Sequence, residues 1–124
     1  MKAVAHNQFD DLTLVEQQAA TEFANKVYHE FGDQVESILL FGSRARGDAA
    51  EDSDMDLLVI LSDTEPSLVR AIRYLAVDVW LKYGIYLSTR VWSHAHWQKL
   101  EEMQTFLYCN IRRDGIKLVK YNQG

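Results

Sequence analysis

The chain has 124 residues, 48% apolar and 25% charged, with a formal net charge of −5 and a pI near 5.3. This is an ordinary globular composition with enough length for one core, and it predicts a single domain over residues 1–124. The acidic balance argues against direct nucleic-acid binding. The lone Cys109 excludes an internal disulfide and fits a reducing, cytoplasmic setting, and the longest aliphatic run, Leu57 to Leu61, is far too short to span a membrane.

The N-terminal MKAVAHNQFDDL has no apolar stretch of signal-peptide length. Thr13 is placed as a helix N-cap, with Glu16 completing a capping box. Val15, Ala19, Phe23, Val27 and Phe31 then recur at helical spacing up to a stop at Gly32. Val35 to Phe41 reads as a strand, Gly42 to Ser53 as a loop with room for a helical turn, and Met55 to Leu61 as a central strand. Thr64 and Pro66 suit the start of a helix to about Tyr83, with Leu68, Ile72, Leu75, Val79 and Leu81 as its apolar stripe. Gly84 ends it, and Ile85 to Trp92 reads as a third strand. Ser93 caps a short helix through Leu100. A last helix near Thr105 to Arg113 ends at Gly115, and Ile116 to Val119 forms a short edge strand. This order predicts a small α/β (α+β) fold, a mixed sheet with helices packed mainly on one face.

The chemistry concentrates in FGSRARGDAAEDSDMDLLVI, Phe41 to Ile60. Asp54 and Asp56 are two apart, so on a strand both carboxylates point to one face, while Met55, Leu57, Val59 and Leu61 share the other. Two carboxylates ~4 Å apart repel by roughly 4 kcal/mol at an effective dielectric of 20, which a fold tolerates when a cation sits between them. Mg²⁺ suits such a pair because it takes oxygen ligands and leaves positions open for substrate phosphates. Gly42 permits a turn and close backbone approach to a ligand. Backbone N–H groups there and the Ser43 hydroxyl can hold phosphate oxygens, and Arg44 and Arg46 can add charge-assisted contacts. Together these residues read as a phosphate cradle at the end of one strand and a metal-binding pair at the start of its neighbour.

Gly42-Ser43, ten residues, then Asp54-Met55-Asp56 resembles the signature of the nucleotidyltransferases related to DNA polymerase β, and the setting FGSRARGDAAEDSDMDLLV resembles the minimal nucleotidyltransferases among them. NIRRDGIKL, Asn110 to Leu118, is similar to the close of many such domains. The resemblance implies a polymerase β-like nucleotidyltransferase fold in which Asp54 and Asp56 hold one or two Mg²⁺ ions and Gly42 and Ser43 bind the phosphates of ATP or another NTP. An acceptor hydroxyl then attacks the α-phosphorus and pyrophosphate leaves. Such enzymes commonly carry a third carboxylate on a later strand. Gly84 to Ser93 contains no Asp or Glu, so either two carboxylates suffice, with Ser88 or Thr89 or a partner's residue helping, or the site binds nucleotide and turns over slowly.

Minimal nucleotidyltransferases are often paired with a small helical HEPN-domain toxin, a ribonuclease. The resemblance therefore implies a protein adenylyltransferase that adds AMP to a tyrosine of that partner, as the antitoxin of a type VII-like toxin–antitoxin pair. Two alternatives stand beside it. One is an antitoxin with weak or no catalysis that neutralises its toxin by binding alone. The other is a nucleotidyltransferase for small molecules, in which a homo- or hetero-oligomer supplies the acceptor surface.

Overall fold

Thr13 opens the first helix through the reciprocal pair the sequence predicts. Its hydroxyl accepts from the Glu16 N–H at 3.1 Å, and the Glu16 carboxylate accepts from the Thr13 N–H at 2.8 Å. The structure, a computed structural model, describes residues 9, 12–42 and 54–119. Helix α1 runs Leu14–Phe31. Ala19, Ala20, Phe23, Ala24 and Val27 form its buried stripe, and the small alanines let its backbone approach the sheet. Gly32 does not stop the chain with a left-handed residue; its φ is −50° and a single 3-10 turn continues through Gln34.

Strand β1 is Val35–Phe41 and β2 is Met55–Leu61. The second long helix, α2, covers Pro66–Tyr83 and ends at Gly84, whose φ of 73° is the left-handed conformation a helix C-terminus favours. Strand β3 is Leu87–Ser93, followed by short helices α3, His94–Met103, and α4, Phe106–Asp114, and by strand β4, Ile116–Leu118. The sheet order is β3-β2-β1-β4. β1 pairs antiparallel with β2 and β4, whereas β2 and β3 are parallel, with α2 as the crossover that a parallel pair requires.

Strand alternation divides the apolar side chains between two faces. Ile38, Leu40, Met55, Leu57, Val59, Leu61 and Leu118 join Phe23 and Val27 of α1 and Leu68, Ile72 and Val79 of α2 in the main core. Each fully buried side chain of this size contributes about 1.5–3 kcal/mol. On the opposite face Phe41, Leu58 and Ile60 pack with Ile111 of α4, flanked by Leu39, Trp92, Trp97 and Leu107. The two long helices thus share one face, and the two short ones cover part of the other. Trp97 ties this second cluster together. Its ring centroid is 6.3 Å from that of Trp92 on β3 and 4.8 Å from that of Tyr108 on α4.

Some details differ from the sequence reading. β3 begins at Leu87 rather than Ile85, because β2 begins at Met55, the partner of Leu87; just before it the Tyr86 carbonyl accepts from the Met55 N–H at 3.2 Å. α3 runs to Met103, three residues past Leu100, and closes on Gln104 with a φ of 50°. Leu81 leaves the apolar stripe of α2: it is two residues from Val79, about 200° around the helix, and is 75% exposed. Val15 is likewise exposed. The loop and helical turn expected over residues 42–53 lie, past Gly42, outside the described residues.

Candidate active site

β1 ends at Phe41, which lies opposite Asp56 in the antiparallel register. Gly42 follows with a φ of 82°, a conformation that is costly for any other L-residue. A Cβ at this position would fall on Oδ2 of Asp56. Glycine is therefore required twice, once for the turn and once because the backbone abuts the Asp56 carboxylate. The bend after β1 and the start of β2 meet at this carboxylate.

Asp54 stands exposed just before β2, and Asp56 is half-buried within it. Asp56 has the strand parity of Leu58 and Ile60, so it belongs to the face opposite the main core. Its carboxyl is pushed above the ordinary 3.8, first by burial and further by the like charge of Asp54, while the Arg90 guanidinium acts in the opposite direction. A site that resists its own ionisation in this way gains most from a bound cation. Two hard oxygen donors two residues apart, beside a backbone that only glycine allows so close, fit a divalent ion such as Mg²⁺. Among the described residues no third His, Cys, Asp or Glu joins them in a metal-binding group.

The neighbouring strand decides what stands where a third acid would be. In the parallel register Asp56 lies beside Ser88, Leu57 beside Thr89 and Leu58 beside Arg90. Ser88 and Arg90 therefore share the face of Asp56, and Thr89 points with Leu57 toward the core side. Of the two hydroxyl residues considered as substitutes, Ser88 is on the right face and Thr89 is not. Arg90 is a site neighbour that sequence reasoning missed. The period-2 alternation from Ser88 was there to be read, but the register between β2 and β3 was not. Ser43, Arg44 and Arg46 lie outside the described residues.

A family model described as nucleotidyltransferase domain matches residues 20–111. Two curated relatives from Methanocaldococcus jannaschii carry the name "Putative protein adenylyltransferase". One is 41% identical over 70 residues, covering 54% of this chain and 48% of its own length. The other is 34% identical over 84 residues, covering 68% of this chain and 80% of its own. The chain thus spans about half the length of the first of these relatives. Among solved structures, a toxin–antitoxin crystal structure with AMP-PNP aligns at a TM-score of 0.55 and 21% identity, over 83% of this chain and 75% of that one. A "putative nucleotidyltransferase" from Sulfolobus solfataricus aligns at 0.51 and 19% identity, over 100% and 96%. At these identities the structural likeness is one of fold.

Proposed function

The chain belongs to the nucleotidyltransferase domain family, and from that premise we propose that it transfers AMP from ATP to a hydroxyl of a protein partner. The partner in this reading is a small helical HEPN-domain toxin, the accepting group is a tyrosine, and the chain is the antitoxin. Support for protein as the acceptor comes from the curated relatives, which carry that activity in their names. Support for the pairing comes from the toxin–antitoxin neighbour with AMP-PNP.

The observation that carries the reading is the Asp56 carboxylate seated against the Gly42 backbone, within the field of the Asp54 charge. In the proposed reaction Asp54 and Asp56 hold Mg²⁺, which supplies charge neutralisation for the triphosphate oxygens. Gly42 lets the backbone approach those oxygens, and Ser43, Arg44 and Arg46 add polar and charged contacts. The residues align the acceptor oxygen, the α-phosphorus and the leaving group. The acceptor oxygen bonds to phosphorus, the bond to the bridging oxygen breaks, pyrophosphate departs and the hydroxyl proton passes to solvent. Catalysis is by positioning and electrostatics, with no covalent enzyme intermediate.

Incubation with labelled ATP, Mg²⁺ and the candidate partner tests this directly. Label should appear on the partner and disappear with Asp54→Asn plus Asp56→Asn. Persistence of transfer in that double variant removes the assigned roles.

A second reading is favoured by one observation, the lack of an acid on the site face of β3. In it the chain neutralises its toxin by binding alone. The double asparagine variant would then still rescue growth in cells that express the toxin.

A further inference from the structure

We infer that Arg90 is a nucleotide-binding residue, placed on the face of Asp56 to grip the triphosphate. The inference rests on the nucleotidyl-transfer reading above and extends it to a residue outside the Gly42 to Asp56 segment. Three observations carry it. The first is register: Asp56 lies beside Ser88 and Leu58 beside Arg90 on parallel strands, so Arg90 is one alternation, about 7 Å, along the same face. The second is position. Trp92, the next residue on that face, packs with Ile60 and Trp97 under the short helices, whereas Arg90 is exposed. It therefore stands between the end of this face covered by the short helices and the acidic end that carries Asp56. The third is electrostatic: the Arg90 guanidinium is close enough for its charge to act on the Asp56 carboxylate.

A guanidinium in that position has two effects of opposite sign. It lowers the net negative charge that a divalent ion meets, and so weakens metal binding in the absence of nucleotide. It also offers a planar fork of N–H donors that matches phosphate oxygens bidentately, and so strengthens binding of the nucleotide. A residue that merely supported the strand would not separate the two.

The test measures both affinities on the full chain. Mn²⁺ binding to metal-free protein is followed by electron paramagnetic resonance, and binding of AMP-PNP with Mg²⁺ by calorimetry, for wild type, Arg90→Ala and Arg90→Lys. Expected for Arg90→Ala is a several-fold tighter Mn²⁺ affinity and a roughly tenfold weaker nucleotide affinity. Arg90→Lys should leave Mn²⁺ binding near wild type and recover only part of the nucleotide binding, since it keeps the charge but loses the fork. If wild type binds nucleotide and Arg90→Ala binds it equally well, or if both affinities fall together, the assignment of Arg90 is wrong and nucleotidyl transfer stands. If wild type binds Mn²⁺ but no nucleotide, the transfer reading itself fails and Arg90 loses its role with it.

Discussion

At Gly42 two independent constraints meet on one residue, and they can be separated. Gly42→Ala must adopt a φ of 82°, at about 1–2 kcal/mol, and its methyl must also displace the Asp56 carboxylate. Removing that carboxylate with Asp56→Ala should relieve the second cost and leave the first. A double-mutant cycle read by denaturant unfolding should then show Gly42→Ala costing less in the Asp56→Ala background. Equal costs in both backgrounds would mean the turn alone demands glycine. Asp56 itself carries a pH-dependent liability. Its folded pKa lies above 3.8, so the folded state holds a proton that the unfolded chain releases just above that value. Stability therefore falls as pH rises through the window above 3.8, and the deficit persists at neutral pH. Metal-free Asp56→Asn should melt higher than wild type near neutrality, and the two should converge below about pH 3.8. The face of Asp56 was legible because it needs only strand alternation, whereas Asp54 stands just before β2, where alternation does not fix its direction. Arg90 was not legible, because its place on the face of Asp56, one alternation along, depends on the pairing of β2 with β3, which no local pattern encodes.

Among the elements, Glu22, midway along α1, holds the C-terminal end of α2. Its carboxylate accepts from Lys82 Nζ at 2.7 Å and from the Tyr83 hydroxyl at 2.9 Å, with Lys26 one turn away at 3.4 Å. Burial works to raise its pKa, but the hydrogen bonds from Lys82 and Tyr83 and the ion pair with Lys26 together outweigh it and hold the carboxyl below 4.5. The folded state thus binds fewer protons than the unfolded chain just below 4.5. The contribution is present above that pH and is lost as pH falls through the folded value. Glu22→Gln should accordingly be less stable than wild type at neutral pH, with the difference vanishing in acid; a difference independent of pH would point to packing instead. Two helix starts were readable from side-chain chemistry, Thr13 with Glu16 and Ser93; Pro66 does open α2, but its N-cap is Glu65, which makes no side-chain capping bond, rather than Thr64, and Thr105 caps α4 from just outside it. Ends were harder. Gly84 closes α2 as a left-handed residue, but Gly32 passes the chain into a 3-10 turn, and Gln104 takes the left-handed position that composition would give to a glycine. Leu81 shows the limit of counting apolar residues without their angular spacing.

For the molecule as a whole, a ligand that binds only the folded state must raise its stability. Mg²⁺ with AMP-PNP at about a hundred times its dissociation constant should add roughly 2.7 kcal/mol, seen as a higher melting temperature. The same addition to Asp54→Asn plus Asp56→Asn should produce no shift. A shift of equal size in both would place nucleotide binding away from the carboxylates. Beyond thermodynamics, the distribution of the indole rings has a practical consequence. Trp80 lies on α2, edge-on to Tyr86 at 5.3 Å, while Trp92 and Trp97 lie together on the opposite side of the sheet, Trp92 one strand alternation from Arg90. With Trp80→Phe, the remaining indole emission arises from that pair alone. If nucleotide binds beside Arg90 as proposed, that emission should change on its arrival, and occupancy could then be titrated without attaching any dye.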